Sequence, residues 1–255
     1  KLFRIMQGLG GQGFSMLPPV VKNLLIINGL MFLATLSFNV SLNIDLSNTL
    51  GLHYFESELF APYQLITYMF MHGGISHLFF NMFAVWMFGS QIENAWGQKR
   101  FLIYYLITGI GASLLRYGIV YFEIVHLEGL MTPEAIAYVK QGGADLIVTG
   151  RNYIDPNMGN LNALYNTGLV GASGSLFGVL LAFGMLYPNT ALYMIFIPIP
   201  IKAKYFVAGY GALELINGIQ QRPGDNVAHF AHLGGMLFGF LLIKYWQRNA
   251  KRKYF

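Results

Sequence analysis

Charge is missing from this chain in blocks. Residues 23–44, 59–92, 101–115, 156–201 and 226–243 contain no Asp, Glu, Lys or Arg, and 205–221 carries only Glu214. About 20 apolar residues cross a bilayer as a helix. Backbone groups in lipid must be satisfied internally, which favours helices over open strands. Six spans follow, roughly 22–43, 75–92, 100–120, 170–188, 203–219 and 227–246. The 59–92 and 156–201 blocks exceed one helix each. Gly73-Gly74 breaks the first and leaves 59–72 as a loop. Pro188 and the Ile197-Pro198-Ile199-Pro200 run end the fourth helix and form a surface connection. The expected fold is all-α: a polytopic six-transmembrane-helix bundle in one domain over 21–247, after a cytoplasmic segment 1–20 and before a basic cytoplasmic tail 248–255. Only 11% of the residues are charged, against about a quarter in soluble domains.

The positive charge follows topology. Lys1, Arg4, Lys22, Lys99, Arg100, Lys202, Lys204, Lys244, Arg248, Lys251, Arg252 and Lys253 fall on one side of the spans. Arg116, Lys140, Arg151 and Arg222 fall on the other. Cytoplasmic flanks are rich in Lys and Arg, so both termini are expected in the cytoplasm. The net charge of +5 is therefore no sign of nucleic-acid binding. Residues 1–14 are glycine-rich without a signal-peptide core, so the first span would itself direct insertion. No Arg-rich presequence is present, which argues for a cytoplasmic cell membrane over a mitochondrial one. With no cysteine, disulfides and thiolate metal sites are excluded. The long extracytoplasmic loop, about 121–169, contains Thr132-Pro133-Glu134, the pattern of an N-cap, Pro at the first helical position and an acidic first turn. A short helix through about Lys140 is expected there, with a structural role.

This topology makes spans 2, 4 and 6 run from outside to inside. His77 and Asn81 then open span 2, Ser173 opens span 4, and His229 and His232 open span 6, all at similar depth. Polar groups at depth are costly and by default functional. Gly174 and Gly178 on span 4, and Gly235 and Gly239 on span 6, form small-xxx-small faces that let backbones approach. Close approach is what a serine hydroxyl needs to reach an imidazole nitrogen. Ser173 also sits where free N–H groups at a helix start can hold an oxyanion. Ser175 is the competing nucleophile, pointing to another side of the helix.

At these residues the chain resembles the rhomboid intramembrane serine proteases. The resemblance rests on Gly171-Ala172-Ser173-Gly174, on His232-x-x-Gly235-x-x-x-Gly239 and on His77-x-x-x-Asn81. Glu93-Asn94-Ala95-Trp96-Gly97 after span 2 fits as well. It implies Ser173 as nucleophile and His232 as general base, then acid, with an acyl-enzyme hydrolysed by water. It also implies an oxyanion hole of His77, Asn81 and the Ser173 N–H, and a Phe177 ring stacked on the catalytic histidine. Gly174, Gly235 and Gly239 would support the site. The family works with a dyad, and no acidic residue sits plainly at His232 in the sequence. Glu214 reads as a buried, hydrogen-bonded packing group, Asp225 as a loop residue, and His229 as a helix-start polar contact. His72 could hold water or shape the first loop. The family often carries Trp-Arg where this chain has Tyr63-Gln64, so that loop is expected to be held less tightly. Phe55, Phe60 and Tyr63 suggest that it dips into the interface.

The zinc type of intramembrane protease needs His-Glu-x-x-His and the aspartyl type Gly-x-Gly-Asp; neither occurs. A zinc site from His77, His229 and His232 lacks recognisable ligand spacing. Non-enzymatic rhomboid-like client binders typically lack the serine or the histidine. A transporter would want an inverted repeat and midplane polar groups. The expectation is an endopeptidase with no metal or organic cofactor. It cuts in or near the transmembrane helix of membrane-protein substrates, in contact with lipid, and opens to the extracytoplasmic side. Small residues at the cleavage point and helix breakers beside it are what the resemblance suggests for specificity.

Overall fold

The structure, a computed structural model, describes residues 15–194, 197–220 and 227–252. Lys1, Arg4, Arg222, Asp225 and Lys253, and most of the 1–20 segment, lie outside the described residues. Helix α1 (Pro19–Leu42) starts on a proline, whose missing N–H costs nothing there, and ends at Asn43 in the left-handed conformation. A first loop follows, with α2 (Leu46–Leu50), α3 (Gln64–Thr67) and a 3₁₀ turn at Tyr68–Phe70. Helix α4 (Ile75–Ala84) passes through a π turn at Val85–Gly89 into α5 (Ser90–Trp96), one rod over 75–96. Gly97, at φ 80°, closes it and opens α6 (Gln98–Glu128). Then come α7 (Pro133–Val148), α8 (Pro156–Asn166), α9 (Ser173–Leu186), α10 (Ala203–Gln220) and α11 (His229–Arg252).

The six expected spans fall on α1, the α4–α5 rod, α6, α9, α10 and α11. Two of these helices, α1 and α6, are long and apolar enough to cross a membrane by length and composition alone. The chain is mostly helical, and the all-α expectation needs one correction. Ala191–Met194 (β1) and Ile197–Lys202 (β2) pair as an antiparallel hairpin between α9 and α10. Pro198 and Pro200 lack N–H donors, which a two-stranded hairpin tolerates because each strand has a free edge. The 121–169 region also differs from a loop. Helix α6 runs on to Glu128. The Thr132 cap accepts the Ala135 N–H at 3.3 Å, but its helix continues past Lys140 to Val148. Asp155 caps α8 through the Met158 N–H at 2.9 Å.

The core lies where α11 packs along α6 and α9. Phe101, Tyr104, Tyr105, Val179 and Ala182 are fully enclosed there. The outer faces are also apolar: Leu30, Leu33, Phe79, Phe80, Leu213, Ile216 and Leu241 are exposed. So extended an apolar surface marks contact with something other than water.

Candidate active site

Three helix starts converge at one end of this core. Ser173 is the first residue of α9, and its position is set by the first loop. Leu52 and Leu169 exchange backbone hydrogen bonds at 2.8 and 2.9 Å, and the Gly171 N–H donates to Tyr68 O at 2.9 Å. Gly171 stands at φ 126°, a conformation open to glycine. A Cβ there would also meet the His77 ring at 2.9 Å.

Ser173 Oγ lies 2.8 Å from His232 Nε2. The His232 ring is stacked on Phe177, centroids 4.2 Å apart and planes within 5°. Tyr210 packs on the Phe177 ring in turn, at 4.8 Å. On the far edge of the imidazole, His232 Nδ1 is 2.8 Å from Glu214 Oε2, and His229 Nδ1 is 2.7 Å from the same oxygen. Glu214, at the middle of α10, is only 5% exposed. The sequence reading of Glu214 and His229 as polar packing groups omitted this contact. Charge-free surroundings marked Glu214 as costly to bury, but nothing in the chain says which helix its carboxylate meets.

His77 and Asn81 lie on α4 and, with Ser173, line the same cavity, of about 1650 Å³. The Gly73 N–H points at His77 Nδ1 at 3.4 Å. An accepting Nδ1 leaves the proton on Nε2, on the side of the ring towards Gly171, so His77 can donate into the cavity that it lines with Ser173. Asn81 is buried and donates from Nδ2 to His77 O at 3.0 Å. Helix α9 begins at Ser173, so its first N–H groups have no acceptor in a preceding turn. Ser175 points away: its hydroxyl donates to Tyr105 O at 2.8 Å. His72 is buried, its ring 5.0 Å from that of His77.

The glycines work as a three-helix junction. A Cβ on Gly235 would overlap the Gly174 carbonyl oxygen, and one on Gly239 the Tyr104 hydroxyl. Gly174 and Gly178 instead face Ala112 and Thr108 of α6. The α9–α11 approach therefore depends chiefly on Gly235, and the α9 glycines seat that helix on α6.

Among the described residues, Glu214, His229 and His232 bring metal-type donor atoms within 4.8 Å of one another. A divalent cation could bridge such a set, but both Nδ1 atoms are already satisfied by Glu214 Oε2. His77 is not in this group.

A family model described as Rhomboid domain matches residues 60–127 and 142–248. The chain belongs to the rhomboid family. Relatives include the Rhomboid protease AarA of Providencia stuartii, 27% identical over 186 residues, 68% of this chain and 52% of that protein. RHOMBOID-like protein 6, mitochondrial, of Arabidopsis thaliana is 29% identical over 181 residues, 71% of this chain and 42% of that protein. The Rhomboid protease GluP of Bacillus subtilis is 38% identical over 65 residues, 24% of this chain and 13% of that protein. The rhomboid chain spans about half the length of the first two relatives. The matched region contains Ser173, His232, His77, Asn81 and Glu214 alike.

Proposed function

We propose that this rhomboid chain is an intramembrane serine endopeptidase that hydrolyses a peptide bond in or near the transmembrane helix of a membrane-protein substrate. The observation that carries the reading is the 2.8 Å contact between Ser173 Oγ and His232 Nε2 inside an apolar helical core. Ser173 Oγ attacks the scissile carbonyl while His232 Nε2 takes its proton. The tetrahedral oxyanion is held by His77 Nε2–H, the Asn81 amide and the Ser173 N–H. His232 then gives its proton to the leaving amine as the C–N bond breaks. Water, deprotonated by His232, releases the acyl group. Preorganised donors of this kind are each worth on the order of 100- to 1000-fold in rate.

The helical segments α1, the 75–96 rod, α6, α9, α10 and α11 are six spans in this reading, with both termini cytoplasmic and the site facing the extracytoplasmic side. A cell membrane is the proposed location. The mitochondrial relatives make a mitochondrial membrane the alternative that fractionation would detect. No metal or organic cofactor enters the mechanism, and lipid is the surrounding solvent.

The test is fluorophosphonate labelling of the purified, detergent-solubilised protein. Wild type and Ser175→Ala should label, and Ser173→Ala should not. A folded wild type that stays unlabelled, and cuts no transmembrane substrate in liposomes, overturns the reading in favour of a client binder.

A further inference from the structure

Glu214 is a buried charged group at the site that the dyad chemistry does not use. It sits mid-helix in α10, in a segment with no other charge between Lys204 and Arg222, and is almost fully enclosed. A buried carboxylate costs several kcal/mol unless paired and hydrogen-bonded. Were this position only filling space, an apolar or amide side chain would do so at less cost. Its partners here are two imidazole nitrogens on α11, at 2.7 and 2.8 Å on one oxygen.

The His232 ring is thereby fixed on three sides. Phe177 covers one face, Glu214 holds the Nδ1 edge, and Ser173 meets the Nε2 edge. A carboxylate has no proton to give, so Nδ1 must carry the hydrogen of that contact. Nε2 is then left with its lone pair towards Ser173, the tautomer that a general base needs. The reverse tautomer would aim an N–H at the serine and leave two lone pairs facing at Nδ1. When Nε2 takes the serine proton, the new imidazolium already has a negative partner at 2.8 Å. His229 holds the same oxygen from the other side, so the carboxylate is itself oriented.

We propose that Glu214 is a positioning residue for His232. It fixes the imidazole tautomer and stabilises the imidazolium, making the site a Ser173–His232–Glu214 relay assembled from α9, α11 and α10. Because the acid is on α10 and the base on α11, full competence of the base requires α10 to be seated. The proposal rests on the protease reading above.

The experiment follows the rate of fluorophosphonate labelling of wild type, Ser173→Ala, Glu214→Gln and Glu214→Asp, with cleavage of a transmembrane substrate in parallel. The Gln variant should label at least about 10-fold more slowly and lose kcat with little change in KM. The Asp variant should recover part of that loss. Equal labelling of wild type and Glu214→Gln overturns the relay while leaving the serine protease intact. An unlabelled wild type fails the protease reading instead. Should Glu214→Gln not fold, ¹⁵N-histidine NMR of the wild type decides, the His232 signal being assigned by its loss in His232→Gln. Proton on Nδ1 and a bare Nε2 is the expected state, and the Nε2-protonated tautomer overturns the proposal.

Discussion

His53 and Gln64 hold the first loop from inside. Gln64 is fully buried, its amide donating to Thr49 O at 3.0 Å and Leu59 O at 2.8 Å while Oε1 accepts the His53 N–H at 3.2 Å. The expectation that an uncharged residue at this position would loosen the loop missed that the loop closes around the amide. Here neutral bonds suffice because each polar atom of the side chain has a partner. His53 Nδ1 and Nε2 lie 2.9 Å from Asn166 O and Asn48 O, joining the loop to the segment before Ser173. Burial holds His53 below an ordinary histidine's 6.5, against the two carbonyl contacts that raise it. The folded state thus refuses a proton that the unfolded chain accepts below pH 6.5. Stability rises with pH through the window between the folded and unfolded values, levelling off above 6.5, at no more than about 1.4 kcal/mol per pH unit. Thermal melts below pH 6.5 should show this acid loss in wild type and a smaller one in His53→Gln; identical pH slopes would count against it.

At the scale of elements, Glu93 shows what a motif residue does once the helices are packed. Its carboxylate accepts the Val20 N–H at 2.9 Å and the Val21 N–H at 2.8 Å, capping α1 from α5. A negative charge at a helix N-terminus is favourable, more so when buried, and Glu93 is 2% exposed. Asn94 continues the clamp by exchanging hydrogen bonds with the Ser15 backbone. Glu93→Gln should lower stability by about 1–2 kcal/mol, read as a fall in the detergent melting temperature with the labelling rate of Ser173 largely kept. A melting temperature equal to wild type would mean that α1 is seated by its apolar face alone. The sequence marked this segment as part of a pattern but gave no reason for it, because the cap joins residues more than 70 positions apart. The α7 start, by contrast, was legible at Thr132-Pro133-Glu134, since a cap is local chemistry. Its end at Val148 was not, because Gly142-Gly143 follows Lys140 closely and weakens a helix locally, whereas packing of α7 on α8, with Gly143 set against Asn162, carries the helix onward.

At the scale of the molecule, the cavity at Ser173 is walled on one side by Phe80, Ala84 and Phe88 of the 75–96 rod and on the other by Phe206 and Tyr210 of α10. In the protease reading proposed above, a substrate helix arriving from lipid would pass between these walls. The chain has no cysteine, so a Cys pair placed on α4 and α10 and closed by a bifunctional thiol reagent isolates this motion. Cleavage of a transmembrane substrate should fall at least about 10-fold on crosslinking, while labelling by the small fluorophosphonate stays within about 3-fold. Unchanged cleavage in the crosslinked protein sinks lateral admission between α10 and the rod.

What the chain determined alone is set by short-range physics. Charge-free blocks located the long helices, flanking Lys and Arg suggested an orientation, and small residues beside Ser173 and His232 marked where backbones could meet. These signals survive in one dimension because burial in lipid and capping depend on a residue and its near neighbours. The tertiary structure decided which groups face one another. It turned Ser175 towards Tyr105 O and brought Glu214 of α10 onto His229 and His232 of α11. It also gave Gln64 and Glu93 their partners across the fold. Helix rotation sets the Ser175 and Glu214 contacts, and between α9 and α11 the close approach of Gly235 to the Gly174 backbone fixes it. A turn of one residue would move every side chain by about 100° while leaving the hydropathy pattern almost unchanged.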